Sequence, residues 1–347
     1  MIQQFFLRPL LALILLAAPG EAAQSLVRYE ASHEAMGTVF TVVAYGRDRN
    51  FLGEVVEQVF QELDRVDAQM SNYKPESELS AINREAASHA VLVEPHLFRL
   101  LEQSVQYSRE TDGAFDITVG PLMKHWGFFR GRGLLPSPAE ITDVLKRVGY
   151  QHIKLDPAAR TIRFDKSGIE LDLGGIAKGY AVDQAVEVLR SNGIASALVS
   201  GGTSSIYALG APPGERGWHV TVRDPYQAGK PADTLILRNY SLSTSGSYEK
   251  FFDIGGKTYC HIMDPRTGWP VENMLSTTVL APSTTESDAL SKLFVLGVEG
   301  SRRVLAAHPD LTAIFYLPGN SPGHYRRTVL RSAVNHAAPG TLVEVGP

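Results

Sequence analysis

The strongest constraint on how this chain can fold is a β-branched run followed at once by a long amphipathic helix. Residues 38–45, TVFTVVAY, have the β-branched and aromatic content of a pleated, largely buried strand. Beyond them the apolar residues fall at Leu52, Val55, Val56, Val59, Phe60, Leu63, Val66 and Met70, the spacing of one helical face. Such a stripe has to lie against a core. A second helix is expected over residues 96–110 and stops at Asp112-Gly113, where glycine can take the left-handed closing conformation. Ser137-Pro138-Ala139-Glu140 reads as a capping box with proline at the first helical position, so a third helix opens there.

Short strands separated by turn signals are expected at residues 152–155, 161–164 and 169–173, and a helix then opens at Gly174-Gly175. Further strands are expected at residues 197–200, 205–209, 218–222, 234–238 and 277–280. Helices over 287–296 and 300–307 and strands over 313–316 and 328–330 complete the pattern. Strands and helices mix without regular βαβ alternation, which favours an α+β architecture over a doubly wound sheet.

The first residues carry one positive charge at Arg8, an apolar run over 10–18, and small residues at Ala22 and Ala23. That is the pattern of a secretory signal peptide over residues 1–23, leaving 24–347 as a single domain that can divide into two lobes. The apolar run is too short for a permanent span, so no stable membrane insertion is expected. No lipobox cysteine marks the cleavage region, which points to a free periplasmic protein rather than a lipid-anchored one. Cys260 stands alone and cannot form an internal disulfide, so stability has to come from the core. A chain with 44% hydrophobic and 20% charged residues can build one. With a formal net charge of −4 and no basic run, no nucleic-acid partner is expected.

Several segments can carry chemistry. Leu171 to Asp183, LDLGGIAKGYAVD, places Asp172, two glycines and Lys178 where an extended stretch runs into a helix. Glycines there admit a ligand close to the backbone, and free amides at a helix start attract phosphate, with Lys178 adding charge. The spacing fits neither the dinucleotide nor the P-loop template, and a tight strand-to-helix turn with a surface lysine has the same sequence signature. Tyr73, in the polar loop after the first helix, can stack on a flat heterocycle or cover a core edge. Ala114-Phe115-Asp116 offers amides, an aromatic ring and a carboxylate, or core packing around Trp126.

In CHIMDPRTGWP, His261 is the histidine best placed for proton transfer, with a structural role as its alternative. Asp288 and Ser291, one helical turn apart, supply hard oxygens suited to Mg²⁺; a carboxylate that only stabilises a helix N-terminus has the same pattern. A buried, inert thiol is expected at Cys260.

Together and in this order, from Met36-Gly37-Thr38 to Gly297, these segments resemble the ApbE family of FAD:protein FMN transferases, once described as thiamine-biosynthesis lipoproteins. The resemblance implies a T-fold-like flavin transferase architecture. It also implies an activity: FAD is the substrate, Mg²⁺ assists cleavage of its pyrophosphate, FMN passes to a threonine or serine hydroxyl of an exported flavin-acceptor protein, and AMP is released. By the same resemblance, Met36, Tyr73, Ala114, Phe115, Asp116, Asp172, Lys178 and Ile262 contact FAD. The Gly175 carbonyl and Asp288 hold the metal, and His261 is catalytic.

Two departures stand out. Lys292 takes the place of the usual threonine ligand four residues after Asp288, so Ser291 is the remaining hydroxyl there. The stretch SGGTSSI replaces a common Gly-Gly-Asp. A periplasmic FAD pyrophosphatase yielding FMN and AMP, or a non-catalytic flavin-binding protein, would use the same residues.

Overall fold

The structure is a computed structural model that describes residues 26–128, 133–249, 251–332 and 340–346. The signal-peptide segment expected over residues 1–23 lies outside the described residues. The β-branched run forms β2 (Thr38–Gly46), paired antiparallel with β1 (Val27–Ala35). Their connection is the two-residue turn Met36-Gly37, with φ of 53° and 69°. Two consecutive positive φ values make the turn that matches strand twist, and glycine at the second place removes half of its strain. α1 (Arg49–Met70) follows, capped by Asp48, whose carboxylate accepts from the Asn50 and Phe51 amides at 2.7 and 3.1 Å. All eight residues of its predicted apolar stripe are buried.

The chain continues through α2 (Glu78–Glu85), β3 (Val91–Leu92), α3 (Pro95–Glu110), α4 (Gly120–His125) and α5 (Pro138–Leu145). The capping box at Ser137 and Glu140 forms as the sequence predicts. Then come β4 (Ile153–Asp156), β5 (Thr161–Phe164), α6 (Ala177–Ser191), β6 (Ser196–Gly201), β7 (Ser205–Leu209), β8 (Trp218–Arg223), β9 (Pro231–Arg238) and β10 (Tyr240–Gly246). Two small hairpins, β11 (Phe251–Ile254) with β12 (Lys257–Cys260) and β13 (Met263–Asp264) with β14 (Trp269–Pro270), lead to β15 (Ser276–Ala281). The tail consists of α7 (Thr284–Leu290), α8 (Leu293–Ala307), β16 (Thr312–Pro318), β17 (Tyr325–Arg331) and β18 (Leu342–Glu344).

Eight strands make one antiparallel sheet in the order β1-β2-β6-β7-β10-β15-β16-β17. Both faces are covered. Val42, Ala44, Val199, Val279, Ala281, Ala313 and Phe315 join the core beneath α1, α6 and α7. Val43, Leu280, Ile314 and Tyr316 face the other way, into a second core with Trp218, Val220, Leu235 and Leu237 of the sheet β18-β9-β8. Successive side chains point to opposite faces, so a strand covered on both must be apolar or small throughout, and every residue of β15 is buried. This arrangement is α+β, as expected.

Two expectations differ from what forms, and several elements, β10 among them, were not foreseen. Residues 169–173 are extended but join no sheet. Asn83 of α2 takes both polar groups of Leu171 instead: its Nδ2 donates to the Leu171 carbonyl at 3.0 Å, and its Oδ1 accepts from the Leu171 amide at 2.7 Å. The Asp172 amide donates to the Ile117 carbonyl at 2.7 Å. With its hydrogen bonds met by a side chain and a loop, the segment needs no partner strand. β10 was unforeseen because Ser241, Ser243 and Ser245 alternate where apolar residues normally would. The helix expected over 287–296 begins earlier, at Thr284, and breaks before Lys292; Gly297 then kinks α8 with a φ of 66°.

A titrating contact joins three parts of the helical layer. His308, just after α8, lies between Glu286 of α7 and Glu110 of α3, with Nδ1 and Nε2 each 2.9 Å from a carboxylate oxygen. A ring between two carboxylates donates from both nitrogens and so is imidazolium. The hydrogen bond to Glu286 raises its pKa above the usual histidine value, with burial opposing and Glu110 adding to the rise. This stabilisation is therefore fully present below the unfolded value of about 6.5 and is lost as pH rises through the higher folded value. In urea unfolding, the wild-type chain should lose more stability than His308→Gln between about pH 6 and pH 9. Parallel profiles would remove His308 from the balance.

Candidate active site

The centre of the site is the contact between α6 and α7, which run from separate parts of the chain and are fastened by exchanged carboxylates. Asp183 of α6 accepts from the Thr284 and Thr285 amides at 2.8 Å each and from the Thr285 hydroxyl at 2.6 Å. Asp288 of α7 accepts from the Gly179 amide of α6 at 2.9 Å. The helices meet so closely that a Cβ on Gly179 would lie 2.2 Å from the Thr284 carbonyl oxygen and 2.7 Å from the Asp288 Cβ. This glycine therefore serves helix contact rather than ligand approach.

On its other side α7 packs against β10 through hydroxyls. Ser241 and Ser243 each bond the Ser287 hydroxyl, at 3.0 and 2.8 Å, and Ser245 bonds the Ser291 hydroxyl at 2.7 Å. Small side chains let the helix sit low on the sheet, and mutual hydrogen bonds satisfy the buried oxygens.

Above this contact opens a cleft of about 690 Å³, within the range of small-molecule sites. Met36, Tyr73, Ala114, Phe115, Asp116, Asp172, Gly175, Lys178, His261, Ile262 and Asp288 all line it, so one cleft gathers residues that the sequence separates by more than two hundred positions. Met36 arrives on the β1–β2 turn. Tyr73 stands at the rim, 62% exposed, and so does not cover a core edge. Phe115 and Ile262 are buried in the wall, and His261 meets the Phe128 ring edge-on with centroids 6.4 Å apart. Trp126 lies behind the wall, fully buried, its indole N–H donating to the Gly268 carbonyl at 2.9 Å; here core packing is the role.

The carboxylates differ in their freedom. Asp116 is held on both oxygens: Oδ1 accepts from the Thr118 amide and hydroxyl at 2.8 and 2.7 Å, and Oδ2 from the Tyr150 amide at 2.7 Å. Burial raises its pKa, with those hydrogen bonds opposing. It shapes the loop as much as it faces the cleft. Asp172 folds its Oδ1 onto the Gly174 amide at 2.8 Å.

The start of α6 is more closed than the glycine pair implied. A turn over residues 174–176 precedes the helix, the Ile176 and Ala177 amides donate to the Leu173 carbonyl, and the Gly179 amide serves Asp288. Positive charge on this wall comes instead from Lys178, which donates to the Ser204 hydroxyl, and from Lys292.

Lys292 reaches the place expected for a metal. Its Nζ donates to the Gly175 carbonyl at 3.3 Å, the Asp288 carbonyl at 3.0 Å and the Ser291 hydroxyl at 3.0 Å, and lies 3.6 Å from Asp288 Oδ1. Burial pushes its pKa down, opposed by the Asp288 carboxylate and reinforced by Lys178. Ser291, expected as a ligand, does not line the cleft. It is fully buried, with its hydroxyl donating to the Asp288 carbonyl at 2.7 Å. Cys260 is buried and free, its thiol pKa raised by burial, as an inert core residue would be.

Sequence reasoning noted SGGTSSI only as a departure from Gly-Gly-Asp, and missed that its turn at Gly202-Thr203-Ser204, with Thr244, Ser245 and Gly246 of β10, forms a wall of the cleft. The signal was present in the alternation of Ser241, Ser243 and Ser245 opposite Ser287 and Ser291, two helical positions four apart.

Comparison with known proteins places this geometry. A family model described as the ApbE family matches residues 36–315. The FAD:protein FMN transferase of Treponema pallidum is 34% identical over 307 residues, 84% of this chain and 84% of that protein. The transferase of the same name from Salmonella typhimurium is 32% identical over 280 residues, 78% of this chain and 79% of that one. Among solved structures, the ApbE protein from Thermotoga maritima matches with a TM-score of 0.79 at 30% identity, covering 88% of this chain and 97% of that one. The flavin transferase ApbE from Vibrio cholerae gives 0.76 at 26% identity, covering 89% and 98%.

The α6–α7 contact makes a sharp prediction. Gly179→Ala should lower stability by about 3 kcal/mol or more, because its new Cβ meets backbone rather than a yielding side chain. Gly53→Ala in α1, where the nearest atom would be 3.5 Å away, should be neutral or stabilising by up to about 1 kcal/mol. Equal urea midpoints for the two variants would refute the close helix contact.

Proposed function

The chain belongs to the ApbE family, and from that membership we propose that it is an FAD:protein FMN transferase acting on a threonine or serine hydroxyl of an acceptor protein. The observation that carries the reading is the convergence of aromatic, lysine and histidine side chains from six separated segments on one cleft of ligand size. In this reading Tyr73 and Phe115 flank the flavin ring, and Lys178 faces the pyrophosphate. The acceptor oxygen attacks the phosphorus of the FMN half. A new oxygen–phosphorus bond forms, the bond from that phosphorus to the bridging oxygen breaks, and AMP departs with the bridging oxygen and its electron pair. His261 takes the proton of the attacking hydroxyl. Enzymes of phosphoryl transfer work mainly by positioning and by neutralising charge, which is what this wall of the cleft offers. The pattern of the first 23 residues supports export, which would place the acceptor in the periplasm.

Magnesium is the cation the resemblance implies, at the Gly175 carbonyl and Asp288. The residues present do not fit it there. Mg²⁺ demands near-octahedral oxygens at about 2.0–2.1 Å. The Gly175 carbonyl already accepts from the Lys292 Nζ, which stands 3.6 Å from the Asp288 carboxylate; that carboxylate also accepts from the Gly179 amide, and the Ser291 hydroxyl is committed to the Asp288 carbonyl and to Ser245. A divalent ion about 4 Å from an ammonium is repelled by on the order of 8 kcal/mol at an effective dielectric near 20. Among the described residues, no group of three or more His, Cys, Asp or Glu side chains could hold a metal elsewhere.

Incubating the purified chain with FAD and a flavin-carrier domain that bears an acceptor threonine should produce covalent flavin fluorescence on the carrier and equimolar AMP. AMP without labelled carrier would defeat the transferase reading. His261→Ala should slow transfer by about 10²–10⁴-fold while FAD affinity, measured by flavin fluorescence quenching, stays within a few-fold. An unchanged transfer rate would take His261 out of the proton step.

A further inference from the structure

The Lys292 ammonium is held as a bound cation would be. Its three N–H protons meet three oxygens: the Asp288 carbonyl at 3.0 Å, the Ser291 hydroxyl at 3.0 Å and the Gly175 carbonyl at 3.3 Å. A neutral amine has one proton fewer than these acceptors can use. The Ser291 hydroxyl is turned to receive one of them, since it gives its own proton to the Asp288 carbonyl. The Asp288 carboxylate supplies the counter-charge, with Oδ1 3.6 Å from Nζ.

The placement has two causes in the fold. Lys292 stands four residues after Asp288, just past the end of α7, and the Gly179 contact brings the Gly175 carbonyl, in the turn before α6, within reach. The side chain remains 20% exposed and lines the cleft, so part of it borders the ligand space even though burial acts on its amine.

We propose that Lys292 is the cation of this site: its tethered ammonium takes the place of a divalent ion between Gly175 and Asp288, and the chain binds FAD and transfers FMN without a metal there. The proposal rests on the transferase reading for its chemistry and on the geometry alone for its location. As the acceptor oxygen bonds to the FMN phosphorus and AMP leaves with the electron pair, Lys292 keeps its proton and balances charge on the departing phosphate, with Lys178 beside it. The hydroxyl proton goes to the base and not to Lys292, so both lysines end the step as they began.

The test separates location from chemistry. Manganese binding to the full chain, without FAD, is followed by the electron paramagnetic resonance of free Mn²⁺. Wild type should bind none below millimolar concentration. Lys292→Thr should bind one ion, and Lys292→Thr combined with Asp288→Asn should lose it. In the carrier assay, wild-type transfer in EDTA should stay within about 3-fold of its rate with Mg²⁺, whereas Lys292→Thr should fall by about 100-fold in EDTA and recover with Mg²⁺.

One Mn²⁺ bound by wild type and lost in Asp288→Asn would overturn the proposal, as would collapse of wild-type transfer in EDTA with rescue by Mg²⁺. If Lys292→Thr does not fold, the wild-type measurements decide alone. If no condition gives transfer, the transferase reading fails while manganese binding still decides the role of Lys292.

Discussion

The cleft depends on the exchange of carboxylates between α6 and α7. Asp183 takes up the amides that open α7, and Asp288 takes up an amide in the first turn of α6, so neither helix can slide or rotate without stranding a buried partner. Burial raises the Asp183 pKa even though the Thr285 side chain and two amides hydrogen-bond to it, so the folded state disfavours its charged form relative to water. What the exchange secures is position. Lys178 sits on α6, the Gly175 carbonyl in the turn just before it and Lys292 just past the end of α7, so a shift between the two helices would move these groups apart.

That register is supported from beneath by an interface that is buried yet polar. β10 could have offered leucine or valine to α7, as β15 and β16 offer apolar residues to the helical layer. It offers serines, and the helix answers with serines. Large side chains would lift α7 off the sheet and carry Asp288 and Lys292 away from Gly175. Small hydroxyls keep the helix low and pair with one another, so little unmet polarity is left in the contact. The chain thus gives up apolar burial at this one interface and recovers it on the opposite face of the sheet, where Leu242 and Leu280 pack under Trp218 and Leu235.

Those choices explain what was legible in the sequence. α1 and β2 could be read because periodicity and burial coincide there; every apolar position of the stripe is buried. The flanking strands β15 and β16 were legible for the same reason. β10 was hidden because period-two polarity in serine looks like a loop until the helix that pairs with it is known. The segment before α6 misled in the other direction. It has a strand's residues, but its backbone is served by Asn83, eighty-eight positions away, a long-range contact that no local pattern encodes. The positions around the cleft were legible as a set, through the motifs that resemble the ApbE family. The use each residue makes of its atoms was not: the amides at the start of α6 are largely spent inside the protein, Asp116 is held on both oxygens, and Ser291 points away from the cleft.

The lysine at position 292 shows why a substitution must be read with its surroundings. As a sequence change, a cation among supposed metal ligands is a defect, since like charges repel. In the folded chain the Gly175 carbonyl and the Ser291 hydroxyl, both expected around a metal, accept from the ammonium, the Asp288 main-chain carbonyl takes the third proton, and the Asp288 carboxylate that would have neutralised a metal stands 3.6 Å away as the counter-charge. Repulsion then acts only against a second cation, which the site no longer needs. A tethered ammonium brings half the charge of a divalent ion, and Lys178 on the neighbouring helix supplies the other half toward the same cleft. Because Lys178 sits on α6 and Lys292 just past the end of α7, the electrostatics of the site are set by the contact at Gly179 and are in place before any ligand arrives.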